Sequence, residues 1–445
     1  MTLVDGFGAP VSHNNQSAID AFYEAAILLL GYAPDPVGRI KAVLQQSPDF
    51  IMGHCFLAGM YLVASDKRRR KSLLVQYEIL RELAPQANDR ERGHIKAIKL
   101  WLDGDFYASS QAYADILLYC PRDLTALQFG HQTDFLLGHV SSTRDRPARV
   151  MRHWTRDDPE YSFILGMQAF GLEESGHYAA GEALALQCVE LNPKDTWGVH
   201  ALAHCYEMQG KTGQGISFMQ NCEDKWGGDN YLSIHNRWHL SLYRIERCEF
   251  DLALQAHDKH MLVTPKSELM DVHDSAALLW RLHLDDVDVG DRWNAVADRY
   301  VTFIDQAYMP FNDMHAMMSF VATGREEEAN SLIRALEAAS ELEGTGAMII
   351  RTAGLPVVRG IQAFGQGDFS KAKNLLSSVR HCSNLLGGSI AQRDVINLTL
   401  LGAATRSGDV AMVEGLVDER TALKPSSPLT DMFMAKTKPG NRDQL

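Results

Sequence analysis

Apolar residues recur at helical spacing along almost the whole chain, and strand-like alternation is nearly absent. The clearest predicted helices are Ser17–Gly31, Phe50–Ala64, Arg90–Leu102, Leu124–Leu137, Tyr161–Glu174, Thr196–Met208 and Ile234–Glu246. Turn signals separate these runs at roughly 15–20 residues. The pattern predicts an all-α fold, an α-solenoid of helix-turn-helix repeats.

One unit sets the period. Gly176-His177-Tyr178 closes one helix, Leu191-Asn192-Pro193-Lys194-Asp195 opens the next, and Gly210 ends it 34 residues after Gly176. That is the tetratricopeptide period. With both glycines at repeat position 15, Pro193 falls at 32, Ala203 at 8 and Tyr206 at 11. The small residue lets two helices approach, the aromatic fills the remaining gap, and Pro starts the next repeat. Weaker turns recur at Gly104-Asp105-Phe106, Cys248-Glu249-Phe250 and Gly367-Asp368-Phe369, and Gly324 and Gly408 keep only the glycine. The outer repeats are therefore degenerate. The reading is a single tetratricopeptide-like solenoid over residues 1–424, most regular over 161–265 and curved around a concave groove or central pocket. Residues 425–445, with Lys, Pro, Gly and Asn, read as a loose tail.

Longer blocks carry a resemblance. Pro48-Asp49-Phe50-Ile51-Met52-Gly53-His54, Pro121-Arg122-Asp123-Leu124 and Leu165-Gly166-Met167-Gln168-Ala169-Phe170 are followed by Trp197-Gly198-Val199-His200-Ala201-Leu202-Ala203-His204. His235-Asn236-Arg237-Trp238-His239, Leu279-Trp280-Arg281-Leu282 and Phe311-Asn312-Asp313-Met314-His315 complete the set. In these blocks, over about residues 20–410, the chain resembles the tetratricopeptide repeat protein 38 family. The resemblance implies a helical-repeat fold. It carries no activity, substrate or catalytic residue across.

Composition narrows the function classes. Net charge is −13, which argues against nucleic acid and anionic membrane as partners. The longest apolar run, Ala25 to Leu30, falls far short of the ~20 residues of a membrane helix. The N-terminus has no signal-peptide core, and the seven cysteines are scattered and never spaced Cys-x-x-Cys. A reduced, cytoplasmic protein is expected. Exposed repeat ends leave room for a homodimer. Lys67-Arg68-Arg69-Arg70-Lys71 reads as a solvated helix start, and Asp285–Asp291 as an acidic turn that misses a calcium loop's ligand positions. No Walker loop, Gly-x-Gly-x-x-Gly or Gly-x-Ser-x-Gly is present, so a nucleotide cofactor lacks support.

The candidate chemistry lies in the histidines. Nine of 17 fall between His200 and His315. His200 and His204 are four apart at repeat positions 5 and 9, and Glu207 follows at 12. A residue and its fourth neighbour share a helix face. His235 and His239 repeat the pair 35 residues later, although counting back from Cys248 places them at positions 2 and 6. Adjacent helices would bring four imidazoles and a carboxylate to one patch. His200, His204, Glu207, His235 and His239 are the candidate catalytic residues. Glu173, Phe170, Trp238, Asp313 and His315 are the candidate substrate-binding residues, and His273-Asp274 is a further candidate contributor from a later helix. The four histidines are also the candidate ligands of a divalent transition metal. No His-Glu-x-x-His occurs, so a zincin is not indicated. His257, His260, His54 and His131 read as packing or buried partners, and Arg281 as half of a surface ion pair before an anion clamp.

Two functions follow. One is a hydrolase- or lyase-type enzyme holding a small molecule in a His/Glu-lined pocket, by metal-assisted or acid–base chemistry. The alternative is a non-catalytic scaffold that binds a peptide or protein partner in the groove. Histidine, Glu, Phe and Trp at groove positions tilt the reading to the first.

Overall fold

A computed structural model describes residues 3–436. The chain is all-α, apart from a two-stranded ribbon pairing Leu3 with Val11 and Val4 with Pro10. The expected helices form at Gln16–Leu30, Ile51–Leu62, Asp89–Leu102, Leu124–Leu136, Tyr161–Glu174, Thr196–Met208 and Ser233–Glu246. None of the described helices is long and apolar enough to cross a membrane.

The turn chemistry is common to the strong and the weak repeats. Gly104, Gly176, Gly210, Gly324, Gly367 and Gly408 all have φ between 67° and 87°. Glycine adopts this left-handed conformation without a Cβ clash and so ends a helix there. Cys248 takes the same conformation at φ 57°. After three of these glycines an aspartate caps the next helix: Asp105 accepts from the Ala108 amide, Asp368 from Lys371 and Asp409 from Met412. The lost periodicity between Gly210 and Cys248 has a local cause. A one-turn helix, Glu223–Trp226, inserts there, and Trp226 buries its ring and donates to the Met219 carbonyl at 3.1 Å.

Contacts group the chain into two units. The first comprises Met1–Ala201, Gly228–Leu232 and Glu343–Gly346; the second comprises Leu202–Gly227, Ser233–Leu342 and Ala347–Leu445.

In the first unit, a buried charge network holds the N-terminal ribbon. Asp5 accepts from the Phe7 and Ala9 amides and from Arg90. Arg90 forks onto Asp123 at 2.7 and 3.0 Å, and His94 Nε2 lies 2.8 Å from the same carboxylate. Burial alone would raise the Asp123 pKa, but Arg90 and His94 outweigh it and hold it far below the usual range. Phe22, Phe50, Phe56 and Phe129 pack edge-to-face beside this network. Two short segments from much later in the chain complete the unit. The Tyr231 amide donates to the Tyr32 carbonyl at 2.8 Å, and the Thr345 amide to the Gly104 carbonyl at 3.0 Å. The Phe106 amide donates to Thr345 Oγ1 at 3.1 Å.

The second unit gathers Trp238, Trp280, Leu332, Val358 and Phe433 in its core. The expected loose tail is only partly described, because residues 437–445 lie outside the described range. Its first part is ordered, contrary to expectation. Pro428–Lys436 is a helix that buries Leu429 and Phe433, four residues apart on one face. Ahead of it, the Pro425 carbonyl passes so close to Gly210 that a Cβ there would meet it at 2.5 Å.

Removing one partner of a buried ion pair leaves the other charged and unpaired, at about 3–5 kcal/mol. Asp123→Ala is therefore expected to lower unfolding stability by that amount in urea titration. A loss below about 1 kcal/mol, the range of an exposed pair, would show that the network supports little.

Candidate functional site

The helix Thr196–Met208 runs out of the first unit into the second. His200, in the first, packs its ring against Trp197 at 4.7 Å and Phe170 at 5.5 Å between centroids. Trp197 also meets Phe170 at 4.8 Å, His131 at 5.7 Å edge-on and Tyr32 at 5.5 Å face-on. Glu173 is buried on the Tyr161–Glu174 helix with Phe170. The surroundings of His200 are thus largely aromatic.

Four of the candidate residues meet in the second unit. His204 and Glu207 lie one turn apart, and both are buried. The His204 and His239 rings are 4.3 Å apart, with ligand-type atoms within 4.8 Å. His235 meets the His239 ring edge-on at 4.9 Å and stacks on Trp238 at 5.3 Å. Each histidine of this second pair has a carboxylate at Nδ1. Asp274 lies 2.9 and 3.0 Å from His235 Nδ1, and Glu207 Oε2 lies 3.4 Å from His239 Nδ1. A carboxylate at Nδ1 orients the ring and leaves Nε2 as the basic nitrogen, an arrangement that suits both metal ligation and acid–base work.

Glu207 is itself held from the far end of the chain. Lys424 Nζ donates to Glu207 Oε1 at 2.8 Å. Burial would raise the Glu207 pKa, but Lys424, His204 and Arg281 outweigh it and keep the carboxylate ionised below its ordinary range. His239 shifts the other way: burial, then the neighbouring His204, His235, Lys424 and Arg281, hold it neutral well below 6.5. Further along, Arg420 Nη1 donates to both oxygens of Asp394 at 2.6 and 2.8 Å, and its Nη2 to Glu246 at 3.3 Å. Glu246 also accepts from Ser427.

His315 and Asp313 part company despite their spacing. His315 Nδ1 donates to the Phe311 carbonyl at 2.8 Å, and its ring lies 5.1 Å from His273. Asp313 lines a separate cavity of about 10 Å³ with Tyr300, Gln306 and Asn312, room for roughly one water. The packing reading fits His54, whose two ring nitrogens meet Gln76 Oε1 and the Pro48 carbonyl at 2.8 and 2.9 Å. It fits His257 too, 2.9 Å from Ser275 Oγ. The ion-pair reading of Arg281 does not hold. Arg281 is 3% exposed and, among the described residues, donates only to backbone carbonyls, those of Ala277, Ala391 and Gln392.

A cavity of about 370 Å³ in the second unit reaches this cluster through Lys424, which lines it and donates to Glu207. Met208, Ile390, Asp394, Leu398, Arg420 and Lys424 line it, with Asn397 at its exposed edge. Lys424, Arg420 and Asp394 carry no sequence signal linking them to the histidines, because their partners lie up to 217 residues away.

No protein-family profile matches the chain. Similar solved structures include yeast Tom70, 11% identical with a TM-score of 0.33, covering 96% of each chain. A structure of Naa15/Naa10 bound to HypK-THB matches at 12% identity and a TM-score of 0.27, covering 96% of this chain and 67% of that one. Likeness this low decides neither fold nor function.

Burial gives the histidines a measurable effect on stability. It lowers His131 to about 3, with Arg146 adding to the shift, and His315 to about 4. Both folded values lie below the unfolded value near 6.5, so the unfolded chain binds more protons between them. Their stabilising contribution is present in full above about pH 6.5 and is lost as pH falls toward 4 and 3. Each site adds a slope of up to about 1.4 kcal/mol per pH unit. Urea titrations across this window should show the decline, and His131→Phe should make it shallower by about one proton. A profile that stays flat down to about pH 4.5 would contradict the burial of neutral rings.

Proposed function

We propose that the chain is a helical-repeat binding protein whose partner, a peptide segment, meets the second unit at the His204–Glu207–His239 wall and its adjoining cavity. One observation carries this reading. The polar groups of the wall are already matched to each other, through Lys424–Glu207, Glu207–His239 and His235–Asp274. A wall organised in advance loses little freedom when a ligand arrives, which favours affinity. The cavity volume of about 370 Å³ suits a small group or a peptide end. The same reading places the chain with the tetratricopeptide repeat protein 38 family, on its paired histidine blocks.

A chemically synthesised peptide array probed with the full chain tests it. Binding is expected for a subset of peptides, and Asn397→Trp, which fills the cavity from its exposed edge, should abolish it without changing the melting temperature. If no peptide binds, or if Asn397→Trp binds as well as the parent, the reading fails.

A hydrolase- or lyase-type function is the second reading. The two carboxylate-oriented histidines favour it, His235 on Asp274 and His239 on Glu207. A divalent transition metal, if one takes part, would draw on His204 and His239, whose ligating atoms lie within 4.8 Å of each other. Elemental analysis of untagged protein decides the metal part. One equivalent of Zn, Fe, Mn or Ni, lost in His204→Ala and in His239→Ala, would move the assignment to this reading.

A further inference from the structure

Arginine is among the residues least often fully buried unless a partner takes its charge. Arg281 is buried in the second unit, and among the described residues no carboxylate oxygen lies within 4.0 Å of it. Its three donations go to uncharged carbonyls: Ala277 at 3.0 Å, Ala391 at 2.7 Å and Gln392 at 3.5 Å. Glu207, Glu246 and Asp394 contribute to its field, yet each is in direct contact with another cation, Lys424 or Arg420. Burial outweighs those distant carboxylates and brings the Arg281 pKa down to about 10. Such a charge is costly to keep without a counter-ion.

A second donor stands beside it. The Arg281 guanidinium carbon lies 5.3 Å from the centroid of the Trp238 ring. Trp238 is fully buried, and its indole N–H has no hydrogen-bond acceptor among the described residues. A buried indole N–H ordinarily finds a partner. The adjacent rings cannot serve as counter-ions. His239 and His315 both feel the Arg281 charge, and both are held neutral by burial. One cation without a carboxylate in contact and one indole N–H without an acceptor, both buried, share one neighbourhood.

We infer that Arg281 and Trp238 form an anion site for a carboxylate group, which takes the remaining guanidinium N–H groups and the indole N–H. A planar carboxylate matches the guanidinium fork. Charge selects it over a phosphate dianion, because Glu207, Asp274 and Asp394 are near enough for their charges to interact with Arg281 and would oppose a second negative charge. The carboxylate comes from a free small acid or from a peptide C-terminus, and in the latter case this inference rests on the binding reading above.

The test uses full-length protein labelled with 15N at tryptophan. The Trp238 indole resonance is identified by its loss in Trp238→Phe. Acetate is expected to shift it saturably and to raise the melting temperature, while acetamide, or chloride at equal ionic strength, does neither. Arg281→Gln should weaken acetate at least about tenfold, as expected for a hydrogen bond to a charged group. Trp238→Phe should weaken it severalfold while the protein stays folded, which covers the case in which Arg281→Gln does not fold. Acetate indistinguishable from chloride, tighter binding of inorganic phosphate, or unchanged acetate affinity in both variants would overturn the site. A peptide from the array then separates the sources. If its C-terminal amide binds as well as its free acid and ignores Arg281→Gln, the anion site is wrong and the peptide reading survives. If acetate saturates the site but no peptide binds, the anion site stands, its ligand is a small acid, and the peptide reading falls.

Discussion

A charge removed from water is costly without its opposite, and around Glu207 and Glu246 the second unit is arranged to supply it. Glu207 is enclosed on the Thr196–Met208 helix, and the group that neutralises it is Lys424, 217 residues later. Arg420 and Ser427 bind Glu246 from the same stretch, and Arg420 also donates to Asp394. These contacts fix where the chain after the Val410–Leu423 helix must run, and Gly210 is the residue that lets it pass. The same carboxylate orients His239, since Glu207 faces its Nδ1 with one oxygen while Lys424 holds the other.

Repeat arrays ordinarily gain stability from nearest neighbours, so that each unit depends only on the next. The Glu207–Lys424 and Glu246–Arg420 pairs depart from that scheme. They tie a middle repeat to the last helices, and they do so with charges, whose separation in a dry interior is far more costly than the loss of an apolar contact. The second unit should therefore behave as one cooperative body, with less of the end-fraying seen in simple arrays.

What could be read in the sequence was local. The helices followed from period 3.6, and the turns from glycine, since the left-handed conformation has a residue signature. Cys248 shows how far that holds: the aromatic at Phe250 marked a turn even where the glycine was missing. The His204–Glu207 and His235–His239 spacings were legible because helix faces repeat. Asp274 was a candidate from its place beside His273 on a later helix, but its pairing with His235 was not legible, and Lys424 carried no signal at all, because a side chain's sequence neighbours do not reveal what packs on it from a distant helix. Arg281 misled for the same reason. Its local setting suggests a surface ion pair, while its burial is decided by the Ile390–Arg406 helix, whose first-turn carbonyls it reaches. The stretch after Pro425 misled through composition, although Leu429 and Phe433 already stood four apart, the spacing of a buried helical face.

The first unit is not continuous in sequence. It recruits Gly228–Leu232 and Glu343–Gly346, and through them the hydrogen bonds that Tyr32, Gly104 and Phe106 make with Tyr231 and Thr345. During synthesis, residues up to Ala201 leave the ribosome well before Thr345 does. At elongation rates of about 5–20 residues per second, that interval is on the order of ten seconds. Throughout it the amide of Phe106 and the carbonyl of Gly104 lack their native partner Thr345, and the Tyr32 carbonyl lacks its own until Tyr231 emerges. A fragment cut at Ala201 would remain in that state, so the unit can be defined by its contacts but not obtained by cutting the chain.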